Sequence, residues 1–189
     1  MRRLPAIIAA CAAILLAALP ARAVELGDDG LHKPDWMQVT FRDMAEDLAD
    51  ANAAGKRLLV IFEQRGCIYC RKMHEEVFPL PEIETLLREH YFVVQMNLFG
   101  DVEVTDFDGT VRAEKDMATR WGVVFTPTLM FMPEDVPEGM TAGQAAVVTM
   151  PGAFGPGTTR ALLEWVRDKG YEGDEHFQKY VARVVGGGN

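Results

Sequence analysis

Cysteine is scarce in this chain: Cys11, Cys67 and Cys70 are the only three among 189 residues. An exported domain stapled by disulfides carries several cysteines spread along its length, so that framework is excluded. There is no second CxxC, and His32, His90 and His176 have no ligand-like spacing, so a closed four-ligand zinc site is not on offer. Long apolar runs are lacking too. The run at residues 4–19 is shorter than the ~20 residues that cross a bilayer. Positive charge is in short supply, with 19 Lys and Arg against 28 Asp and Glu and a net charge of −9. Such a surface argues against nucleic acid and anionic membranes as partners. Internal repeats are absent.

What is present begins with a targeting segment. Arg2 and Arg3 precede the apolar run, and "PARA" follows it with Ala21 and Ala23 at the −3 and −1 positions of a cleavage site. A signal peptide over residues 1–23, cleaved after Ala23, is expected, and with it export to the periplasm. The alternatives are an uncleaved anchor and a lipoprotein modified at Cys11, although more apolar chain follows that cysteine than precedes it. Cleavage removes three arginines and no acid, taking the net charge from −9 to −12 and leaving Cys67 and Cys70 as the only thiols. A pair so close in sequence closes too short a loop to stabilise much.

With 49% hydrophobic residues the mature chain can bury a core, and one domain is expected. Residues 24–38 read as a polar leader and 186–189 as a flexible tail, with the domain between them at 39–185. "TFRDMAEDLADANAAGK" predicts a helix capped by Thr40, with Phe41, Met44 and Leu48 on one face and Gly55 at its end. "RLLVIFE" predicts a buried parallel strand. Residues 67–77 are helix-compatible, and a further helix starts at Pro81. "YFVVQMNL" is a strand, and "VEVTDFDGTVR" a hairpin turning at Asp108-Gly109. "AEKDMATRW" is a helix, "TLMFM" a strand and "PEDVPEGMTAG" a loop. "AAVVTMPG" is a strand, and "TTRALLEWVRDKG" and "DEHFQKYVARVV" are helices. The order gives an α/β sandwich with helices on both faces of a sheet.

The chemistry lies in "EQRGCIYCRKMH". A helix starting at Cys67 aims free backbone N–H groups at that sulfur, and Arg65, Arg71 and Lys72 add positive charge, a setting that favours a thiolate. Cys70, three residues on and on the same helical face, can resolve a mixed disulfide. The metal alternative uses Cys67, Cys70 and His74, at i, i+3 and i+7, as ligands for zinc or Cu(I) in a metallochaperone. For His74 taken alone, a solvated helix position is the expectation, against an acid–base role.

The strand–Gly66–Cys67-Ile68-Tyr69-Cys70–helix sequence, "WGVVFTPTLMFM", and "VVTMPG" with Gly152 occur in the order found in the thioredoxin superfamily, which the chain resembles from residue 58 to about residue 169. Within it the chain is most similar to exported thioredoxins of bacterial periplasms, those of the sulfur-oxidation (Sox) system above all, in which "FEQxGCxYCxKMH"-like runs occur. The resemblance implies a thioredoxin-like fold with a central mixed β-sheet flanked by helices on both faces. It implies a thiol–disulfide oxidoreductase with catalytic Cys67 and Cys70 and no cofactor beyond their disulfide. Pro127 should be cis beside the cysteines, with Thr126 offering its backbone to a client, and Tyr69 should line the same surface. The expected partners are a client protein with a disulfide and a membrane thiol-electron transporter, and the expected state is a monomer. Reduction of sulfur-oxidation or cytochrome-maturation clients follows from the same likeness.

Two departures stand out. The family's buried acid six residues before the first cysteine is replaced by Ile61. Glu63 shares the strand face of Ile61, so it is either a proton acceptor working through water or a solvent-facing strand end; Glu63, Arg65 and His74 are the candidates for proton relay or pKa tuning. Ile68 stands where related motifs often have Pro or Gly.

Overall fold

Strand β2, Arg57–Glu63, runs through the middle of the protein in a computed structural model that describes residues 24–187. Every residue from Leu58 to Glu63 is buried, because both faces of the strand are covered. Leu59 and Ile61 face one cluster, with Met73, Val77, Ile83, Leu87, Leu162 and Val166. Leu58, Val60 and Phe62 face the other, with Met44, Leu48, Met96, Met117 and Trp121. This alternation is the two-residue period of a strand made visible.

Five strands form the sheet in the order β1-β3-β2-β6-β7, with β1 at Met37–Gln38, β3 at Tyr91–Asn97, β6 at Thr128–Phe131 and β7 at Val148–Pro151. β1, β3 and β2 are mutually parallel, and β6 and β7 join antiparallel, so the sheet is mixed. Helices α1 (Met44–Ala53) and α4 (Glu114–Arg120) contribute to the Phe62 side. Helices α3 (Pro81–His90) and α6 (Pro156–Arg167) cover the Ile61 side. The expected sheet with helices on both faces is what forms. β4 (Glu103–Thr105) and β5 (Val111–Ala113) make the expected hairpin as a separate two-stranded sheet. A short helix α5, Ala142–Ala145, held by a Thr141–Gln144 capping box, takes the end of the expected loop and the first residue of the expected strand, which starts only at Val148. The last helix, α7, is Phe177–Gly186. Among the described residues no helix is long and apolar enough to cross a membrane.

Three local expectations change. Thr40 does not cap α1, and Phe41 is exposed. Arg42 takes a positive φ of 58°, which no helix accommodates. The chain therefore enters its helix later, at Asp43, whose carboxylate accepts from the N–H groups of Ala45 and Glu46. Residues 24–38, expected as a polar leader, pack into the domain. Leu31 and Trp36 are buried, and Met37–Gln38 pair with Val93–Val94 of β3. Isolated apolar residues in a polar stretch show no periodicity, which hides them from a reading of pattern. Gly186, expected in the tail, is the final residue of α7. The expected signal peptide at residues 1–23, Cys11 and the cleavage site lie outside the described residues.

Candidate active site

β2 ends at Glu63, and Gly66 then turns the chain with a φ of 72° that favours glycine. The turn places Cys67 at the N-cap of helix α2, Ile68–Lys72, where its sulfur accepts the N–H of Cys70 at 3.0 Å. Cys67 and Cys70 form a disulfide with Cα atoms 5.2 Å apart. The two sulfurs are not equivalent. Cys67 stands at the surface edge with 9% exposure, and Cys70 is sealed at 1%.

The second wall of the site comes from the segment before β6. The Thr126–Pro127 peptide bond is cis. Thr126 Oγ1 donates to Cys67 Sγ at 3.3 Å, and the Thr126 carbonyl oxygen lies 3.6 Å from the same sulfur. Pro127 O accepts the N–H of Gly152 at 2.7 Å, which fixes the segment to the end of β7. Residues 59 apart in sequence thus meet at one sulfur. Around them Ile68, Tyr69, Val124 and Phe125 project into solvent, each more than half exposed. A cavity of about 420 Å³ is lined by Asp29, Arg42, Arg65, Asn97 and Glu114 and by neither cysteine.

Arg65 engages the N-terminal segment. Its guanidinium donates to the carbonyls of Asp28 and Asp29 and so ties down the N-terminal segment. Arg71 pairs at the surface with Glu75.

Behind α2 the helix widens into a π-helical stretch, Met73–Val77, which turns the adjacent residues Met73 and His74 both inward. His74 is 1% exposed, which corrects the expectation of a solvated position. Its Nε2 lies 2.6 Å from Glu63 Oε1. Glu63 is fully buried rather than facing solvent, and its other oxygen accepts from Gln95 Nε2 at 2.7 Å. Gln95 also donates to the His32 carbonyl and accepts from Lys33 Nζ at 2.6 Å. The His32 ring stacks on that of His74 with centroids 4.4 Å apart and planes 14° from parallel. Burial, and then the neighbouring His74, hold the His32 pKa below its ordinary value.

The ligand set expected for a metal changes accordingly. Cys67 and Cys70 bond to each other. The described His, Cys, Asp and Glu groups whose ligand atoms come within 4.8 Å of one another are instead His32, Glu63 and His74. Sequence spacing missed His32 because it arrives from the N-terminal segment. The parity of Glu63 with Leu59 and Ile61 was the available signal for its inward direction.

Residues 44–163 match the thioredoxin-like domain family. The chain belongs to that family. Among solved structures, a thioredoxin-fold protein from Helicobacter pylori is 17% identical, with a TM-score of 0.55 over 77% of this chain and 92% of its own. A thioredoxin from Thermus thermophilus is 25% identical, with a TM-score of 0.51 over 68% of this chain and 86% of its own. No curated protein matches the chain. A thioredoxin-like fold carrying a Cys67–Cys70 disulfide at a helix start supports thiol–disulfide oxidoreductase activity.

Proposed function

We propose that this thioredoxin-like protein is a periplasmic reductant of disulfides in exported proteins. The observation that carries the reading is the asymmetry of the pair: Cys67 at the edge with two donors on its sulfur, Cys70 sealed behind it. The donors favour a Cys67 thiolate once the disulfide is reduced, and the thiolate is the attacking species. Cys67 attacks a client disulfide, forming a mixed disulfide and releasing one client thiolate. Cys70 then attacks Cys67, the second client thiolate leaves, and the Cys67–Cys70 disulfide returns. A membrane thiol-electron transporter reduces it for the next cycle. The exposed Ile68, Tyr69, Val124 and Phe125 form the apolar rim on which a client segment rests, with the Thr126 backbone beside it. The likeness of "FEQRGCIYCRKMH" to sulfur-oxidation thioredoxins supports a client from that system or from cytochrome maturation.

Trapping tests the reading. Cys70→Ser in the periplasm should accumulate covalent adducts that dithiothreitol removes, and Cys67→Ser should accumulate none. Equal yields would remove the assignment of Cys67 as nucleophile. The reduction potential tests direction: a value near thioredoxin's ~−270 mV fits a reductant, whereas one near ~−120 mV would make the protein an oxidant.

A further inference from the structure

His74 Nδ1 is buried and has no hydrogen-bond partner. A buried, unpaired nitrogen of this kind costs roughly 1–3 kcal/mol, so its retention asks for a reason. His74 follows Cys70 by four residues, one helical turn. Cys70, Met73, His74 and Val77 are all buried, so the imidazole and the Cys70 sulfur belong to one buried face of the helix. Cys70 is itself sealed from water, and the thiol it becomes on reduction has to lose its proton inside the protein. The other imidazole nitrogen is committed. Gln95 donates to one oxygen of Glu63; with Glu63 ionised the other accepts from His74, and then Nε2 carries the hydrogen and Nδ1 holds a lone pair. In the disulfide state Cys70 has no proton to give, and this is the state in which Nδ1 stands alone.

We propose that His74, held by Glu63, is the general base for the resolving thiol. The inference rests on the oxidoreductase reading above. In the resolving step the Cys70 proton passes to His74 Nδ1, the Cys70 sulfur forms its bond to Cys67 Sγ, and the bond from Cys67 to the client sulfur breaks. The client sulfur leaves with the electron pair and takes the proton back from the imidazolium. Glu63 is a positioning residue: it fixes the tautomer and stabilises the imidazolium, a division of labour also seen in acid–histidine–nucleophile triads.

The surroundings suit this role. The groups facing His74 are Glu63 from β2, His32 from the N-terminal segment and, through Gln95 of β3, Lys33. Glu75 and Arg71, from its own helix, act on His32 with opposite signs. The lowered pKa of His32, set first by burial and then by His74, favours its neutral ring beside an imidazolium at His74. The same stacking works against a metal site. Imidazole lone pairs lie in the ring plane, and planes 14° from parallel do not converge on one ion.

The test follows reduced protein reacting with 5,5′-dithiobis(2-nitrobenzoate) by stopped flow. Cys67 releases the first nitrothiobenzoate and Cys70 the second, so the phases report the two sulfurs separately. Wild type should keep a fast second phase well below the free-thiol value of about 8.5. His74→Asn, which retains an oxygen acceptor but no base, should slow the second phase by about 10²-fold at pH 7 and leave the first unchanged. Glu63→Gln should slow it less, and Glu63→Asp should restore part of the rate. An unchanged second phase in His74→Asn overturns the proposal. If that variant does not fold, a wild-type second phase that follows a single ionisation near 8.5 overturns it as well. Release of one equivalent or none by wild type refutes the oxidoreductase reading itself.

Discussion

Asp47 shows what a single buried carboxyl does to this protein. It sits on α1 at 2% exposure, with the Thr40 hydroxyl donating to it at 3.2 Å. Burial pushes its pKa up to about 6, and Asp43, Asp50 and Glu46 push the same way, while the Thr40 bond only partly opposes them. In the unfolded chain the group titrates near 3.8. Between those values the folded state holds a proton that the unfolded state has lost, so stability falls as pH rises through the window. The ionised Asp47 therefore costs the fold about 3 kcal/mol above pH 6. Asp47→Asn should melt higher than wild type at pH 7 and lose most of that advantage by pH 4. Parallel melting curves at the two pH values would show that Asp47 does not titrate in this way.

At the scale of elements, Asp106 is a buried polar anchor of the β4–β5 hairpin. Asp106 is 1% exposed, and its carboxylate accepts from the N–H groups of Phe107 and Ala142, from Trp121 Nε1 and from Arg120. It thereby binds the hairpin to α4 and to the start of α5. Asp106→Ala leaves those buried donors unpaired and should cost roughly 3 kcal/mol or more by urea unfolding. Asp108, which meets the same Arg120 at the surface, should cost under about 1 kcal/mol when replaced by alanine. Similar losses from the two would mean that Asp106 does not anchor the hairpin. The hairpin itself was legible, because Asp108-Gly109 between alternating residues is local turn chemistry. So were β2, from its apolar run, and α3, from Pro81 at its first turn. Asp106 as a hub was not, since its partners lie up to 36 residues away and a buried acid leaves no periodic trace. The cysteine site divides in the same way. Cys67, Cys70 and the Thr126–Pro127 segment were readable from motif and order. The contact of His74 with Glu63 and His32 depends on a π-helical widening and on a segment whose polar composition reads as a leader.

At the scale of the whole molecule, that N-terminal segment completes the fold. Leu26 bridges to His32, Arg65 holds the carbonyls of Asp28 and Asp29, and β1 adds an edge strand beside β3. Trp36 is its main anchor. The indole is 7% exposed, meets Phe78 edge-on with centroids 5.6 Å apart, and lies 6.3 Å from His74 in a nearly parallel plane. Its loss opens a cavity beside the π-helical stretch. Trp36→Ala should therefore cost roughly 3–5 kcal/mol. For a domain of this size that is a fall in Tm of about 6–20 °C. Phe41, five residues on and 90% exposed, provides the control: Phe41→Ala should leave Tm where it is. Since Trp36 packs against the imidazole rather than the sulfurs, the Trp36→Ala protein, assayed below its melting range, should retain alkylation of Cys67 ahead of Cys70. A Tm equal to wild type in Trp36→Ala would mean that the segment rests on the domain without supporting it. Loss of the Cys67 preference would mean that the segment shapes the nucleophile directly.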